Sequence, residues 1–446
     1  MTSVQKASRS SRPYSIGENA AGERPRGARH DQIPDGRSLG MEAFVDKASA
    51  SLLRLMRSRQ RSSLSEVSDA EIACDVAVTS REVQFSDFEA VAKLKESGGL
   101  RKDFLDNWYR LWRDNPALAK AKSPLSMGHV LEAKGRIVGY HGSIPLLYRY
   151  GDQTLLAATG HGLVVEPRYR FHSMGLVQAF WRQKNIDLLM VSTAIESVGK
   201  MSTLFRAKAL PQRDYDTVLF FVLNSRRFAR AVLKKLRVGE GIGRLGAAFG
   251  SLSQRMESTL HGRGPGRSSR KLPVTKIPVH QIGDDFEVLW QKKLTEKPRL
   301  LAERSAALLR WHFSQPGNDD RKTVLRCHLH GCLAGYAIVQ YTMDCHTGLH
   351  RCRLVDMLID GEAPDVAENL LAAAYSDAQA SGADVFEVLG FPRSLRGILL
   401  RWRPYSRKYP ACPFFYGTKD QSLGRMLTAE DSWYATPFDG DTTLIP

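Results

Sequence analysis

The sequence predicts a mixed α/β (α+β) protein with two mixed-sheet domains in tandem, and three observations support this fold class. Helical and strand-like segments alternate from Val83 to about residue 223, and the same order of segments returns after residue 277. A short glycine motif recurs at the same place in both halves. Only the first half has a basic loop between a strand and a helix, so the second domain is predicted to be a degenerate copy.

Each half opens with a helical pattern and continues with strand-like segments. The helical spacing runs from Phe88 to Trp112 in the first half and from Phe286 to Phe313 in the second. The first half then has predicted strands at 127–133, 137–150 and 154–165, a helix at 175–183 and a strand at 187–191. The second half has strands at 323–329, 333–343 and 351–359, a helix at 364–381 and a strand at 385–389.

The recurring motif is Gly-x-x-x-Gly-Tyr. It reads Gly135-Arg-Ile-Val-Gly139-Tyr140 in the first half and Gly331-Cys-Leu-Ala-Gly335-Tyr336 in the second. The first glycine of each copy suits a hairpin turn, and the second opens a long central strand. Because both copies follow a helical pattern that ends at a proline, an internal duplication is the favoured interpretation.

Composition divides the 446-residue chain into four segments. Residues 1–78 are rich in Ser, Arg, Gly and Pro and are predicted to be a disordered or variable region. The two domains are expected at 79–224 and 277–446, joined by a basic linker at 225–276. That linker has 13 Lys or Arg against Glu240 and Glu257 and so carries most of the net charge of +17. A solvated linker and a site for an anionic membrane surface both remain open.

The location predicted for the chain is cytoplasmic. No apolar run approaches the roughly 18 residues that span a bilayer, and the basic N-terminus lacks the apolar segment of a secretory signal. The basic linker adds the hypothesis of a peripheral position at the inner face of the membrane.

Four of the six cysteines lie between Cys327 and Cys352, among several histidines. Their spacing lacks the paired C-x2-C knuckles that bring two thiolates onto one zinc ion. The segment is better interpreted as two strands joined by a turn at Thr347-Gly348, so no metal site is predicted.

The basic loop of the first half lies between an apolar strand that ends at Pro167 and a helix expected to begin at Gly175. Backbone N–H groups at a helix N-terminus point to one spot and favour negative charge there. The small residues Ser173 and Gly175 let a phosphate approach the backbone. Additional donors come from Arg168, Arg170 and His172. The segment therefore predicts a phosphate-binding loop without the lysine of a P-loop.

The run Val165-Glu-Pro167-Arg-Tyr-Arg170-Phe-His-Ser173-Met-Gly175 resembles the acyl-CoA-binding motif of the GNAT N-acyltransferase superfamily, V-x-P-x-x-R-x-x-G-x-G/A. Ser173 replaces the first glycine of that motif. The resemblance covers residues 83–223 and implies acyl-CoA, with acetyl-CoA foremost, as co-substrate. The cofactor-binding residues that it implies are Val164, Val165, Arg170, Phe171, His172, Ser173, Met174 and Gly175. The second half has Asp356-Met-Leu-Ile-Asp-Gly-Glu-Ala-Pro364 at this place, so CoA binding is not expected there.

Acyl transfer also requires a base and stabilisation of a tetrahedral oxyanion. The resemblance implies a backbone N–H near Val164 and Val165 for the oxyanion. The candidate bases are His161, Glu166 and Glu196, with His161 preferred, although a structural role for this histidine is equally open. Phe205 stands where many relatives have a leaving-group tyrosine, and Tyr215 is an alternative acid.

The function implied is transfer of an acyl group, with acetyl foremost, to an amine or hydroxyl of a sugar or cell-envelope/polysaccharide precursor. The Trp112…Pro116 segment and residues 431–441 also resemble those of FemAB-like aminoacyltransferases and exopolysaccharide-associated acyltransferases. Two alternatives stay open: an aminoacyl-tRNA-dependent transferase and a non-catalytic binding protein of GNAT origin. In the first, tRNA would bind the basic linker and a cluster formed by Arg393, Arg396, Arg401, Trp402, Arg403, Tyr405, Arg407, Lys408 and Tyr409.

Overall fold

The computed structural model describes residues 77–101, 103–235, 262–266, 270–315, 321–361, 363–409 and 414–445. The prediction of a disordered or variable region at 1–78 lies outside the described residues, except for residues 77 and 78, and so does much of the basic linker. No helix in the described part of the chain is long and apolar enough to cross a membrane.

The first half combines helices of 8 to 10 residues with strands of 2 to 15 residues. Its elements are β1 (Val78–Glu82), α1 (Phe88–Ser97), α2 (Leu105–Trp112), β2 (Gly128–Ala133), β3 (Arg136–Tyr150), β4 (Gln153–Val165), α3 (Ser173–Trp181), β5 (Leu188–Val191), α4 (Glu196–Leu204), β6 (Lys208–Ala209) and β7 (Thr217–Val222). Helix α5 (Ser225–Lys235) opens the predicted linker, and its Phe228 ring stacks on Phe220 of β7.

The second half repeats this order. Its elements are β8 (Val274–Ile277), α6 (Asp284–Leu294), β9 (Leu300–Ala302), α7 (Ala306–Phe313), β10 (Lys322–Leu329), β11 (Cys332–Met343), β12 (His350–Ile359), α8 (Pro364–Ala380), β13 (Val385–Leu389), α9 (Arg393–Arg401), β14 (Tyr405–Lys408), β15 (Phe415–Gly417) and α10 (Gln421–Met426).

The strands form two mixed sheets, which confirms the predicted fold class. The first sheet has the order β1-β2-β3-β4-β5-β15-β6, with β9 paired to β3, and the second has the order β8-β10-β11-β12-β13-β7-β14. The β4–β5 pair is parallel, as is β12–β13, and the other neighbouring pairs are antiparallel. The parallel pair thus occupies the same place in both sheets.

The two halves exchange strands. Strand β7, which lies within the predicted first domain, inserts between β13 and β14 of the second sheet. Strand β15 of the second half inserts between β5 and β6 of the first sheet. The largest hydrophobic cluster accordingly contains residues from both halves, Trp108 and Trp290 among them.

The repeated glycine motifs occupy the same register in the two sheets. Gly139 faces Val165 across β3 and β4, and Gly335 faces Ile359 across β11 and β12. In each sheet the pairing then shifts by one residue a few positions along. In β4 the shift lies beside Gly162, whose φ of 64° is in the left-handed region that favours glycine.

Both long helical patterns predicted from the sequence are interrupted. The first divides at Gly98-Gly99 into α1 and α2, because Gly99 has a φ of 78°, which ends the helix. Gly98 lets the end of α1 lie against β4, since a side chain there would meet Val164 Cγ2 at 2.4 Å. The second divides into α6 and α7, with the short strand β9 between them. Helix α3 begins at Ser173, two residues earlier than predicted.

Candidate functional site

The predicted phosphate-binding loop is a 3-10 helix, Pro167–His172, that leads directly into α3. A 3-10 helix has three residues per turn, so Arg170 and Ser173 share one face. The Ser173 hydroxyl donates to the Arg170 carbonyl oxygen at 2.7 Å and fixes this turn. Tyr169 packs on a small apolar cluster with Val138 and Leu176, which anchors the loop to the sheet.

The proposed cofactor residues form a mostly exposed surface around this turn. Val164 and Val165 are half-buried at the end of β4, and Ser173 is half-buried at the start of α3. Phe171 is 96% exposed. A side chain built at Gly175 would meet no protein atom within 4 Å. The remaining members of the set are also exposed: Arg170, His172, Met174 and Gly175. An anion can therefore reach the start of α3 without any rearrangement of the protein.

Strands β4 and β5 separate just before this loop. They pair only from Ala157–Leu188 to Thr159–Met190, whereas β4 continues to Val165 with its other edge held by β3. In the described part of the chain, no strand pairs with the β5-side edge of β4 beyond Thr159. This edge offers unpaired backbone groups to an extended ligand.

His161 lies on β4 where the two strands begin to separate, and it is 4% exposed. Its Nε2 atom lies 2.9 Å from Lys95 Nζ, and Lys95 also contacts the buried carboxylate of Asp103. On the other side, His161 Nδ1 lies 3.5 Å from Asp441 Oδ2. The imidazole is thus held between a cation on α1 and a carboxylate of the C-terminal segment.

The surroundings keep His161 neutral. Burial and the neighbouring Lys95 charge lower the pKa of the imidazole. An ammonium group only donates, so Nε2 accepts from Lys95 and the ring proton lies on Nδ1, towards Asp441. The basic nitrogen of His161 therefore faces Lys95 in this structure.

Three buried polar atoms near this point have no hydrogen-bond partner among the described residues: Tyr140 Oη, Thr159 Oγ1 and His161 Nδ1. Such atoms are rare in folded proteins and each calls for an explanation, of which a polar ligand is one. They lie on β3 and β4 beside the separation of β4 from β5.

The C-terminal segment reaches this place from the second half. Asp441 Oδ1 accepts from Ser192 Oγ at 2.9 Å and from Thr193 Oγ1 at 3.1 Å, both just beyond β5. Arg110 of α2 donates to the Leu444 carbonyl oxygen at 2.6 Å. The segment thus closes one side of the space between β4 and β5.

The other proposed catalytic residues lie elsewhere. Glu166 forms an ion pair with Arg136 at the far end of β4. Glu196 begins α4, is 78% exposed in its side chain and pairs with Lys200 at 2.9 Å. Tyr215 is buried and donates to the Thr436 carbonyl oxygen at 3.2 Å, and Phe205 is half-buried. The structure does not bring Glu166 or Glu196 to His161.

The corresponding place in the second half is filled by the protein itself. Asp356, at the register shift of β12, is fully buried against Arg304, Tyr336 and Thr436. At the loop that corresponds to residues 167–173, the Gly361 N–H donates to Glu296 Oε1 at 2.7 Å. A backbone N–H that could donate to a phosphate is therefore already bonded to a carboxylate of the chain.

The sequence interpretation missed Lys95, Asp103 and Asp441. Lys95 carried a signal, because it follows Val91 by four residues and Ala92 by three on the apolar side of α1. A lysine on such a face indicates a buried partner. Asp441 carried no comparable signal, since its contact with His161 joins distant parts of the sequence.

The cysteine-rich segment covers the end of β10 and the β11–β12 hairpin, whose turn contains Thr347-Gly348 as predicted. Cys327 and Cys352 are buried on strands, whereas Cys332 and Cys345 are exposed. No group of three or more His, Cys, Asp or Glu side chains suited to a metal ion is found within the described ranges.

The cluster considered for tRNA is partly interior. Trp402 and Tyr405 are buried in the hydrophobic core, and Arg396 donates to the Thr217 and Gly390 carbonyl oxygens. These two rings therefore pack against the protein rather than standing open to bases.

No family model matches the chain, and no curated protein is similar to it. Solved structures that are similar include GCN5-related N-acetyltransferases from Anabaena variabilis (10% identity, 77% of this chain and 73% of that chain, TM-score 0.48) and Kribbella flavida (10%, 77% and 71%, TM-score 0.46). A further one is Saccharomyces cerevisiae N-myristoyltransferase with bound myristoyl-CoA (11%, 79% and 81%, TM-score 0.48).

Proposed function

We propose that the chain is a GNAT-like acyltransferase that moves an acyl group, with acetyl foremost, from acyl-CoA to an amine or hydroxyl of a small-molecule or glycan acceptor. The observation that carries this proposal is the separation of β4 from β5 immediately before the basic loop and the start of α3. Phosphate groups suit the helix start, and an extended, amide-containing arm suits the free edge of β4.

The residues near the separation supply the remaining requirements in this proposal. The thioester would lie beside the part of β4 that contains His161 and Val164, where a backbone N–H can stabilise the developing oxyanion. The carboxylate of Asp441 lies 3.5 Å from His161 Nδ1, and its charge favours the tautomer with the ring proton on this nitrogen. For His161 to accept a proton from the acceptor, Lys95 must move away from Nε2 when substrates bind.

The acceptor class is the finer part of the proposal. A sugar or cell-envelope/polysaccharide precursor is the candidate, and the support is the resemblance noted in the sequence. A second candidate function, binding of acyl-CoA without transfer, is favoured by the contact between Lys95 and the basic nitrogen of His161. Release of free CoA thiol in the presence of amine acceptors separates the two functions.

Donor binding is tested by titrating CoA and acetyl-CoA into the wild-type protein and two loop variants. Arg170→Ala removes a charge-assisted contact, so affinity should fall by about ten- to a hundredfold. Gly175→Ala should weaken CoA binding as well, because its methyl group enters the space left for phosphate. The same change meets no protein atom and should raise the unfolding free energy by about 0.5–1 kcal/mol, since alanine favours a helix.

Asp360→Ala is the matched control, because Asp360 lies on the corresponding loop of the second half and pairs only loosely with Lys292 at 3.5 Å. It should leave CoA affinity unchanged. Wild-type protein that binds neither CoA nor acetyl-CoA, or loop variants that bind like the wild type, would overturn the proposed function.

A further inference from the structure

A cavity of about 270 Å³ lies between the second sheet and the C-terminal segment. The polar residues of its sheet wall are Gln340 of β11, Arg353 of β12, Glu387 of β13 and Arg407 of β14, and apolar residues of the same strands complete this wall. Gln340 pairs with Arg353, and Arg353 with Glu387, so these polar side chains follow one line across the sheet. The opposite wall comes from the C-terminal segment, including Thr443. The volume suits a small polar group rather than a polymer.

The charge balance of this wall is positive. Glu387 is 6% exposed and accepts from Arg351 at 2.7 Å, from Arg407 at 3.0 Å and from Arg353 at 3.3 Å. These three arginines hold the pKa of Glu387 below its usual range despite burial, so the carboxylate is ionised. One carboxylate cannot neutralise three guanidinium groups, and the further contact of Arg351 with the Asp344 carboxylate, at 3.5 Å, still leaves three cations against two anions.

A fourth cation lies close by. Partial burial and the charges of Arg407 and Arg351 lower the pKa of Lys235, an exposed residue at the end of α5. Like charges gathered around a half-buried space repel one another, and an anion that enters relieves this repulsion. The guanidinium groups of Arg353 and Arg407 also present planar, paired donors that match carboxylate or phosphate oxygens.

The cavity adjoins the site around His161. Thr193 lines the cavity and also donates to Asp441, whose other oxygen lies near His161 Nδ1. Thr443, on the cavity wall, contacts the buried His312 at 2.7 Å. A group held in the cavity therefore lies next to the segment that closes the space between β4 and β5.

We propose that this cavity binds the acceptor substrate through a carboxylate or phosphate group held by Arg353 and Arg407. That the bound molecule is the acceptor rests on the proposed function, whereas the anion site itself does not. The acceptor class that follows is an acidic small molecule that also carries an amine or hydroxyl, such as an amino acid, a uronic acid or a sugar phosphate.

The test measures binding of inorganic phosphate and of acetate by calorimetric titration, with chloride maintaining constant ionic strength. Arg353→Gln and Arg407→Gln should each weaken binding of the preferred anion at least tenfold. Arg326→Gln is the control, because Arg326 is an arginine of the same sheet that pairs with Asp285 outside the cavity, and it should bind like the wild type. Preference for phosphate or for acetate supports the proposal and names the acidic group.

Arg170→Ala separates this site from the donor loop, which also suits phosphate. Anion binding that survives Arg170→Ala and fails in the two cavity variants supports the cavity. Binding that is lost in Arg170→Ala alone, or wild-type protein that binds neither anion more tightly than chloride, overturns it. Arg353 is 39% exposed in its side chain, so its variant should fold even if Arg407→Gln does not.

The same proteins are titrated with CoA. If the wild-type protein binds phosphate or acetate in the cavity but does not bind CoA, the anion site stands and the proposed function is wrong. If the wild-type protein binds CoA but neither phosphate nor acetate, the proposed function stands and the anion site is wrong.

Discussion

Each half of the chain has a buried ion pair at a corresponding position. Asp103 lies two residues before α2 and contacts Lys95, and Arg304 lies two residues before α7 and contacts Asp356. All four side chains are 5% exposed or less. The signs of the charges are reversed between the halves, so the same place in the fold carries an acid in one half and a base in the other.

Removal of one member of such a pair should be costly. Lys95→Met leaves Asp103 buried without its cation, and we expect the unfolding free energy to fall by about 3–5 kcal/mol. The double variant Lys95→Met/Asp103→Leu removes both charges and should recover most of this loss. Urea unfolding followed by tryptophan fluorescence measures both. A single variant that stays within about 1 kcal/mol of wild type would contradict the role of the pair.

At the residue scale, the sequence identified those parts of the site that are local. The loop residues from Arg170 to Gly175 follow one another in the chain, so the phosphate-binding pattern was visible without a structure. His161 was noticed because it precedes the phosphate-binding loop on the same predicted strand. The partners of His161 come from α1 and from the C-terminal segment, and no local pattern joins three distant segments.

At the scale of the element, the register shift in β4 depends on Gly162. A side chain there would meet Lys95 Cε at 3.2 Å and Tyr140 Cε1 at 3.3 Å, in a backbone conformation that L-residues rarely adopt. The glycine therefore lets β4 change register beside His161 while Lys95 approaches from α1.

Gly162→Ala should lower the unfolding free energy by about 2–4 kcal/mol, from backbone strain together with overpacking. Gly151→Ala is the matched control. Gly151 also has a positive φ, 56°, but its turn has no protein atom within 4 Å of an added side chain. It should lose only the strain, about 1–2 kcal/mol. Equal losses measured by chemical unfolding would show that the contacts around Gly162 are not tight.

Most strands were predicted within a residue or two, because their apolar patterns are long and regular. The sequence predicted both helical segments as too long, because helical spacing alone shows neither the left-handed backbone at Gly99 nor the short strand β9. Strand β15 has three residues and carries no period of its own. The place of β7 in the second sheet could not be foreseen either, because strand-like sequence does not specify which edge it will join.

At the scale of the whole molecule, buried histidines make stability depend on pH. Burial lowers the pKa of His161 and His312, and it lowers the pKa of His141 to about 4. In the unfolded chain these histidines bind protons near pH 6.5, whereas in the folded protein they do so only at lower pH. The stability that they contribute is therefore complete above about pH 6.5 and is lost as pH falls. His141 alone should reduce the unfolding free energy by about 1.4 kcal/mol per pH unit as the pH falls from roughly 6.5 to 4, and His161 and His312 act in the same direction.

Unfolding curves of wild type and His141→Phe across this range measure the effect. The variant should show a slope about 1.4 kcal/mol per pH unit shallower than wild type. His346→Gln, a change at an exposed histidine, serves as the control. Slopes that change equally in both variants would contradict burial as the cause.

Because the two halves exchange strands, the first sheet can be completed only late in synthesis of the chain. Strands β5 and β6 of the first sheet are complete by Ala209. The strand that lies between them, β15, begins only at Phe415. At ribosomal speeds of about 5–20 residues per second, that interval is roughly ten to forty seconds. During this time the edge of β5 has no neighbour and resembles the exposed edges through which nascent chains associate. Biogenesis of this protein therefore depends on whatever shields that edge, a demand that two separately folding domains would not make.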